Sequence, residues 1–469
     1  MRYISTRGQA PALSFDEVLL AGLASDGGLY LPESWPQLDA AALRGLAGQP
    51  YAEVAFRVMW PFVEGSLEEA DFRRIVADSY AGFRHKAVAP LKQLESGLWL
   101  QELFHGPTLA FKDVAMQLLG RLFEHVLAAR GARVTIVGAT SGDTGSAAIE
   151  ACRGGERIDI FILHPRGRVS EVQRRQMTTV ADANVHNIAL EGTFDDCQDL
   201  VKAMFGDTAF REEMNLSAVN SINWARVMAQ IVYYVTAALA LGAPERQIAF
   251  AVPTGNFGNV FAAYAARRMG LPIAGLIVGS NSNDILTRFF ETGRMTMAGV
   301  TPTYSPSMDI QVSSNFERLL YDALGGDGAA VAKTMTEFRK TGGFSLGGNQ
   351  LAGLTGLFTG YRLDDAGTLA EMKRTYEETG EVLDPHSAIG VAAARACWQD
   401  PAIPVVALAT AHPAKFPAAV ERALGLTPEL PPSLADLLAR PERCETLPDD
   451  LAAVQDFVRR GSRARRQVA

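Results

Sequence analysis

Two segments of the chain repeat one plan, in which a short apolar run leads through a glycine-rich turn into a helix. They span residues 133–152 and 246–270. Further short apolar runs of the same kind occupy residues 157–165, 184–190, 271–281 and 403–413. Strands that alternate with helices pair in parallel, and the helices cover both faces of the sheet. The sequence therefore predicts an α/β protein built on open, mostly parallel, twisted sheets.

The length of the chain, 469 residues, exceeds what one hydrophobic core usually serves. Residues 1–95 carry helical patterns and a turn-rich segment at 26–36, but no strong strand run. We therefore expect a mainly helical N-terminal unit at 1–95, a smaller α/β domain at 96–240 and a larger α/β domain at 241–469. The proline-rich stretch 428–448 is expected to form a short helical appendage on the outside.

The charge balance bears on the partners of the chain. The formal net charge is −8, with 44 lysine and arginine residues against 52 aspartate and glutamate residues. Because phosphate backbones require a basic surface, this balance disfavours a nucleic-acid partner. The basic C-terminal stretch 458–469 is expected to be a solvated tail.

The cysteine and histidine positions argue against structural metal sites and disulfides. The four cysteines stand far apart and form no CxxC pair, and the seven histidines show no ligand spacing. Reduced thiols are typical of a cytosol. The most apolar stretch, 231–243, is too short to span a bilayer, and the N-terminus is polar where a secretory segment would be apolar. We therefore expect a cytoplasmic protein with no metal and no membrane partner.

The two glycine-rich turns are suited to bind anions. They follow predicted strands of an open α/β sheet and precede helices, whose first N–H groups favour negative charge. The turns contain glycines and side-chain donors: Thr140, Ser141, Gly142, Thr144 and Gly145 in the first, and Gly255, Asn256, Gly258 and Asn259 in the second. One such turn is more often a tight turn without function, but two favour a ligand site. Neither is a P-loop or a Rossmann turn, which disfavours ATP and NAD.

Lys112 is the candidate reactive side chain. It is surrounded in sequence by apolar residues, among them Phe111, Val114 and Met116, and a helix is predicted to begin near it. An ammonium ion is costly to bury, so a lysine in such a setting is prepared to react as a neutral amine. On spacing alone, however, the ordinary interpretation is better: a lysine at a helix edge with its charge in solvent.

Five motifs, in this order, resemble threonine synthases of the longer bacterial and fungal type. They are HGPTLAFKD at 105–113, GATSGDTGSAA at 138–148, NSINWAR at 220–226, PTGNFGN at 253–259 and ATAHPAKF at 409–416. The N-terminal segments YISTRG and SFDEVLLAGLASDGGLYLPE are similar to the same family, so the resemblance covers most of the chain. It implies the tryptophan synthase β-like fold (fold type II), pyridoxal 5′-phosphate (PLP) as cofactor, and conversion of O-phosphohomoserine and water to threonine and phosphate.

The resemblance also implies roles for single residues around the cofactor. Lys112 would carry PLP as a Schiff base and would then remove the α-proton of the substrate. Thr410 would face the pyridine nitrogen. The cofactor phosphate would be held by one turn, formed by Gly255, Asn256, Phe257, Gly258 and Asn259. Asp143 stands where many relatives of the fold have asparagine, next to the phenolic oxygen of the cofactor, so its protonation state and role stay open.

Two further sets of residues would bind the substrate. By resemblance, Thr140, Ser141 and Thr144 would hold its carboxylate. The departing phosphate needs a second anion site, for which Ser221 and Arg226 stand at the family's spacing, and arginine offers a bidentate fork. A helix-capping serine with a surface arginine is the plainer alternative for this pair. Arg166 and Arg168, on a loop after a predicted strand, are weaker candidates for the same role.

Three other functions stay open at this point. A serine or threonine dehydratase or a cysteine synthase would share the lysine and the glycine turns, although those families place other residues around the lysine. A nicotinamide-dependent dehydrogenase would need an acidic residue about twenty positions after a Rossmann turn, and none is evident. A non-catalytic member of the fold would not need Lys112 and Thr410. The sequence leaves the oligomeric state undecided.

Overall fold

The structure, a computed structural model, describes residues 1–218 and 220–464, and the chain forms two compact units. The first unit contains Met1–Phe111 and Ser221–Pro428. The second contains Lys112–Asn220 and the chain from Glu429 onward. Each unit is thus assembled from two separate chain segments, whereas the sequence-based boundaries at 95/96 and 240/241 were drawn for contiguous domains.

The strands of the described residues fall into four sheets. They are β1 (Tyr3–Ser5), β2 (Tyr30–Pro32), β3 (Leu91–Glu95), β4 (Leu98–Glu102), β5 (Val134–Ala139), β6 (Ile158–Pro165), β7 (Val185–Glu191), β8 (Leu216–Ser217), β9 (Ile248–Pro253), β10 (Ile273–Ser280), β11 (Arg294–Thr296), β12 (Gly343–Ser345), β13 (Phe358–Arg362), β14 (Val405–Ala409) and β15 (Glu445–Pro448).

The α-helices run between these strands. They are α1 (Phe15–Ala21), α2 (Ala40–Leu46), α3 (Tyr51–Val63), α4 (Glu69–Ala81), α5 (Lys112–Ala129), α6 (Asp143–Cys152), α7 (Glu171–Thr178), α8 (Phe194–Gly206), α9 (Thr208–Glu213), α10 (Trp224–Ala240), α11 (Gly258–Arg268), α12 (Ile285–Thr292), α13 (Phe316–Ala323), α14 (Gly328–Thr341), α15 (Gly348–Thr355), α16 (Asp365–Thr379), α17 (Pro385–Cys397), α18 (Pro417–Leu424) and α19 (Leu451–Gly461).

The first unit is built on a six-stranded sheet in the order β13-β10-β9-β14-β4-β3. All neighbouring strands are parallel except β3 and β4, which form an antiparallel hairpin. Every residue of β9 and β14 is buried, as expected for central strands covered on both faces. Because β9 and β14 are neighbours, the turns after them, at 254–257 and at Thr410, leave the same edge of this sheet.

The second unit is built on a five-stranded, wholly parallel sheet in the order β15-β7-β6-β5-β8. One of its cores is formed by apolar residues of the sheet and of the helices on one face, among them Phe161, Leu163, Ile188, Leu200 and Val458. The expected α/β class with mostly parallel sheets is confirmed in both units. The glycine-rich turn at 140–142 follows the carboxyl end of β5, as the predicted order of strand, turn and helix requires.

The N-terminal region is mainly helical, as predicted. Its four helices α1 to α4 accompany a short antiparallel ribbon of β1 and β2. The start of α1 is stabilised by a capping box, in which the Ser14 backbone N–H donates to the Glu17 carboxylate at 2.8 Å. Phe62 of α3 packs its ring on Trp224 of α10, with 5.6 Å between the centroids. The region therefore belongs to the core of the first unit.

The stretch 428–448 differs from the expected helical appendage. It contains two short 3₁₀ turns, Pro432–Leu434 and Leu437–Ala439, and then β15, which pairs in parallel with β7 and extends the sheet of the second unit. The prediction was wrong because a short, mostly exposed edge strand depends on pairing with its neighbour and leaves little local pattern.

The basic C-terminal stretch is only partly a free tail. Arg459 pairs with Glu213 at 3.0 Å, and Arg463 pairs with the buried Asp159 at 2.7 Å. The rest of the predicted tail, residues 465–469, lies outside the described residues. Within the described part of the chain, no helix is both long enough and apolar enough to cross a membrane.

Candidate active site

Lys112 is the first residue of α5 and lies in the second unit. Its side chain is largely buried, with 8% of the residue exposed, and the neighbouring Val114 and Met116 are fully buried. The amine donates to the Asp143 carboxylate, with 3.2 Å between Nζ and Oδ2. The structure thus places Lys112 in the protein interior and not at a solvated helix edge.

Asp143 connects Lys112 to a second polar side chain. It is the first residue of α6, and its other carboxylate oxygen accepts from Gln173 Nε2 at 2.8 Å. Gln173 lies on α7 and is buried. Since the amide of Gln173 and the amine of Lys112 both donate, the contacts fit an ionised carboxylate. Gln173 was not found by sequence reasoning, because nothing in its local sequence marks it as a partner of the turn.

The turn between β5 and α6 is held by its own side chains. The Thr140 hydroxyl oxygen accepts from the backbone N–H groups of Gly142, at 3.0 Å, and Gly145, at 2.8 Å. Gly142 has φ 139°, a backbone conformation that residues with a side chain rarely adopt. A Cβ at this position would lie 2.5 Å from Gln173 Cδ. Thr140 therefore shapes the turn, while the half-buried Ser141 and Thr144 are the hydroxyls that stand beside it.

The turn between β9 and α11, in the first unit, approaches other backbone closely. A Cβ on Gly255 would lie 2.6 Å from the carbonyl oxygen of Ser307. Phe257, the residue before α11, has φ 62°, a left-handed conformation that is uncommon for a phenylalanine. A residue outside the turn also holds it in place, because the Ser313 hydroxyl donates to the Gly255 carbonyl. The backbone at the start of α11 is thus preformed, as an anion site requires.

Asn259 offers an unused donor in this turn. Its side-chain oxygen accepts from the hydroxyls of Tyr233 and Tyr234, the latter at 2.7 Å. Burial raises the pKa of both tyrosines well above the ordinary value, so both phenols stay protonated and donate. This fixes the amide orientation, and the Nδ2 group is then buried without a hydrogen-bond partner among the described residues. An anion with free oxygens, such as a cofactor phosphate, fits that donor.

Arg226 is a buried cation in the first turn of α10. The residue is 3% exposed, and its Nε and Nη1 groups have no hydrogen-bond partner within residues 1–218 and 220–464. Burial alone lowers the pKa of the guanidinium to about 10, so it remains charged at neutral pH. An unpaired buried charge is strongly unfavourable, and an anionic ligand would relieve it. Ser221 lies half-buried just before this helix.

Thr410 directly follows β14 and is buried. Its backbone N–H donates to the Ser387 hydroxyl oxygen at 3.0 Å, and that hydroxyl donates in turn to Asp384. Asp384 also binds His386, at 2.8 Å from Nδ1, and His386 Nε2 accepts from the backbone N–H of Ser307 at 3.2 Å. This network holds Thr410 and the segment that covers Gly255.

Asp384, His386 and Ser387 were missed by sequence reasoning. The aspartate before a proline does predict a helix start, and Asp384 caps α17. The link to Thr410 arises only because α17 packs against the sheet of the first unit. No local pattern could have indicated it.

The predicted residues fall into one set in each unit. Lys112, Thr140 and Asp143, with Ser141 and Thr144, belong to the second unit, whereas Ser221, Arg226, residues 255–259 and Thr410 belong to the first. In the first unit, Phe111 donates its N–H to the Thr410 carbonyl at 2.8 Å, and Lys112 is the next residue in the chain.

The weaker phosphate candidates, Arg166 and Arg168, lie on the surface, and Arg166 pairs there with Glu191 at 2.9 Å. They contribute to neither set. Among the described residues, no group of His, Cys, Asp and Glu side chains is arranged to hold a metal ion.

Comparison with known proteins identifies the class to which this fold and site belong. The family model described as pyridoxal-phosphate dependent enzyme matches residues 84–357, more than half of the chain. The chain is therefore a member of the PLP-dependent enzymes. Two further models, threonine synthase N terminus and threonine synthase C-terminal, match residues 2–80 and 387–458. Within its class, the chain belongs to the threonine synthase family.

Known relatives match over nearly the whole length. The threonine synthase of Pseudomonas aeruginosa is 59% identical, with 98% of each chain covered. The crystal structure of PLP-bound threonine synthase from Brucella melitensis is 55% identical, covers 99% of this chain and 100% of its own, and has a TM-score of 0.97. The yeast enzyme is 39% identical, covers 98% of both chains and has a TM-score of 0.93. These matches confirm the fold type and the cofactor inferred from the motifs.

Proposed function

We propose that this protein is a PLP-dependent threonine synthase, which converts O-phosphohomoserine and water to threonine and phosphate. The observation that carries the proposal is the buried guanidinium of Arg226, whose Nε and Nη1 groups have no hydrogen-bond partner among the described residues. The cofactor phosphate is served by the turn at 255–259, so a second buried cation site fits a substrate that carries its own phosphate. The match to threonine synthases over nearly the whole chain supports the same function.

For the cofactor, we propose roles for residues of each set, assigned by the motifs in which they stand. Lys112 binds PLP covalently, and Asp143 lies next to its phenolic oxygen. Residues Gly255, Asn256, Phe257, Gly258 and Asn259 hold the cofactor phosphate through the N-terminus of α11 and the Nδ2 group of Asn259, which no described residue binds. Thr410 donates its hydroxyl to the pyridine nitrogen, a neutral contact that leaves the ring without a full positive charge.

The substrate is proposed to be held at both ends. Ser141 and Thr144 donate to its carboxylate at the start of α6, on a turn that Thr140 shapes. Ser221 and Arg226 hold its phosphate, for which a planar guanidinium offers two parallel hydrogen bonds. PLP, when bound, supplies the stabilisation of negative charge at the carbon next to the amino group.

Lys112 is proposed to move protons at the reacting carbons. With PLP bound and Lys112 released from it, the lysine amine would be free to take the α-proton of the substrate. The Asp143 carboxylate, 3.2 Å from Nζ in this structure, favours the protonated state that follows. Arg226 stabilises the phosphate as it leaves, because its charge is buried and needs no reorientation. A proton would also be lost from the β-carbon as the phosphate leaves the γ-carbon. Water would then add at the β-carbon, and protons would return to the α- and γ-carbons to give threonine.

The finer assignments of partner and location follow from the same proposal. The chain acts on a small molecule, and its net charge of −8 supports neither a nucleic acid nor an anionic membrane as partner. The four cysteines are free, and two of them, Cys152 and Cys197, are buried. We therefore propose a cytoplasmic location.

A product assay tests the proposed function. The purified protein is incubated with O-phosphohomoserine, with and without added PLP, and phosphate and amino acids are measured. Equal amounts of phosphate and threonine, both dependent on PLP, are expected. Phosphate with 2-oxobutanoate in place of threonine would instead indicate a lyase that releases its product before water adds. No phosphate release, with a cofactor-loaded protein, would contradict the proposal.

A further inference from the structure

Asn315 makes contacts that the proposed mechanism does not yet use. It is fully buried and precedes α13. Its backbone N–H and its side-chain Nδ2 both donate to the carbonyl oxygen of Asn256, at 3.1 and 3.0 Å. The same Nδ2 donates to the carbonyl oxygen of Ser221, also at 3.0 Å. One side-chain amide thus binds the backbone of two segments, the turn at 255–259 and the segment that leads to Arg226.

The orientation of this amide is set by Arg318. The Arg318 Nη1 group donates to the Asn315 side-chain oxygen. The guanidinium is itself fully buried and fixed, because Nε donates to the Tyr30 carbonyl at 3.0 Å and Nη2 to the Ile222 carbonyl at 2.6 Å. Since a guanidinium only donates, the oxygen of Asn315 must face it, and Nδ2 must face the two carbonyls.

These contacts determine where neighbouring N–H groups point. A peptide unit is planar, and its C=O and the following N–H point in opposite directions. Binding of the Asn256 carbonyl therefore turns the Phe257 N–H away from Asn315. Binding of the Ser221 carbonyl fixes the Ile222 N–H in the same way. The close approach of Gly258 to Asn315, where a Cβ would lie 3.2 Å from Nδ2, leaves little room for another arrangement.

We propose that Asn315 is a positioning residue that couples the two anion-binding segments, so that one side chain sets the affinity for both PLP and the substrate phosphate. The inference rests on the proposed function, since it assigns residues 255–259 to the cofactor phosphate and Arg226 to the substrate phosphate. Asn315 acts through the backbone of these segments and touches neither ligand. Its loss weakens both sites together.

The test is the substitution Asn315→Asp. The aspartate keeps an oxygen for Arg318 and gains a charge attraction to it, which supports folding, but it removes both Nδ2 hydrogen bonds and places an oxygen against two carbonyls. PLP affinity is measured by titrating stripped protein in phosphate-free buffer and following the visible absorption band. Inorganic phosphate affinity is measured on the holoenzyme by calorimetry. Both dissociation constants are expected to rise about tenfold, as for one lost hydrogen bond in each segment.

Asn184→Asp is the matched control. Asn184 is also buried, and its Nδ2 donates to two carbonyls, those of Cys152 at 2.7 Å and Ile158 at 2.9 Å, but it lies in neither anion-binding segment. This variant is expected to lower the melting temperature without moving either affinity. If Asn315→Asp does not fold, Asn315→Ala replaces it, since alanine removes the same bonds without adding a charge.

Two results would overturn the coupling by Asn315. One is a change in only one of the two dissociation constants, and the other is an equal change in the Asn184→Asp control. Arg226→Leu separates this inference from the proposed function, because it should weaken inorganic phosphate and leave PLP affinity unchanged. A holoenzyme whose phosphate affinity is unaffected by Arg226→Leu would contradict the substrate-phosphate assignment alone.

Discussion

Arg226 shows what burial does to a single charged residue. Its pKa falls to about 10 through burial alone, yet no described side chain compensates the charge. Arg318, equally buried, differs because its guanidinium donates to two carbonyls and a side-chain amide. This contrast distinguishes Arg318, whose guanidinium stabilises the fold, from Arg226, whose guanidinium is arranged to bind a ligand.

Arg226→Leu is therefore expected to lower kcat/KM for O-phosphohomoserine sharply. A hydrogen bond to a charged group is worth about 1.5–3 kcal/mol, or one to two decades in rate. The visible band of bound PLP and the retention of cofactor should stay nearly unchanged. Steady-state kinetics with O-phosphohomoserine and with L-serine check this result. An equal loss with both substrates, or loss of the cofactor, would assign Arg226 to the scaffold or to the cofactor site.

Thr410→Val tests the contact proposed for the pyridine nitrogen. Valine has nearly the shape of threonine and preserves the backbone N–H that donates to Ser387. Cofactor binding should persist, whereas turnover should fall by the equivalent of about 1–3 kcal/mol, because the ring nitrogen loses its donor. Turnover at saturating PLP measures the effect. A wild-type rate would remove Thr410 from the mechanism.

At the residue scale, the sequence indicated the groups with unusual chemistry but not the residues that hold those groups in place. Lys112, Asp143 and Arg226 stand in motifs whose spacing can be compared with a family. Gln173, Ser387 and Asn315 support motif residues through hydrogen bonds from other segments of the chain. Tertiary packing brings such hydrogen-bond partners together, so the sequence around each of them shows no recognisable pattern.

Two elements depend on glycine for different reasons. The turn before α6 needs Gly142 because of its backbone conformation, whereas the turn before α11 needs Gly255 because of a close neighbour. In both, the backbone reaches a position at the start of a helix where N–H groups can meet an anion. The turns are thus constrained by shape as much as by their polar side chains.

Gly255→Ala is expected to weaken PLP binding at least tenfold. The new Cβ would lie 2.6 Å from the Ser307 carbonyl oxygen, which is backbone and cannot move without shifting the turn. Gly353→Ala is the control in the same unit, because this glycine lies inside α15 with no atom within 4 Å of a Cβ. That variant should be neutral or more stable by up to about 1 kcal/mol. PLP titration of both proteins measures the difference, and equal affinities would contradict the account of the turn.

The strands that could be predicted were those in the middle of sheets. β6 and β9 are buried throughout and consist mostly of apolar residues, so their pattern was evident. β13 and β15 lie at sheet edges, where β13 is only partly buried and β15 is mostly exposed, and their residues are not distinctive. Edge strands depend on pairing with a neighbouring strand. For this reason the sequence indicated the central strands of the sheets but not the strands at their edges.

At the scale of the whole molecule, the two units draw on chain segments that are far apart in sequence. Composition and periodicity indicate single helices and strands. They do not show which distant segment of the chain completes a hydrophobic core. The C-terminal helix α19, for example, contributes Val454 and Val458 to the core of the second unit. Contiguous boundaries were therefore the natural prediction from the sequence, although they do not describe these units.

Acid should destabilise the folded protein through its buried histidines. Burial lowers the pKa of His164 to about 4, assisted by the charge of Arg174 and opposed by Glu442. Because an unfolded histidine binds a proton near pH 6.5, the unfolded state binds more protons than the folded state between pH 6.5 and 4, and stability falls as the pH falls. The loss from His164 should reach about 3 kcal/mol at the acid end of this range.

His164→Gln checks this behaviour by denaturant unfolding across the same pH range. The variant should lose stability less steeply below pH 6.5 than the wild type, whatever its stability at pH 7.5. Identical slopes would show that His164 does not remain neutral in the folded protein.

Attachment of the cofactor to Lys112 is the central claim, and one measurement tests it directly. Borohydride reduction of the purified, PLP-loaded protein makes the bond to the lysine permanent, and peptide mass spectrometry then locates it. The modification is expected on the peptide that contains Lys112. Lys415 is the structural rival, because it is fully buried and its amine lies 2.6 Å from the Thr108 carbonyl oxygen. Modification of Lys415, or of any lysine other than Lys112, would contradict the account.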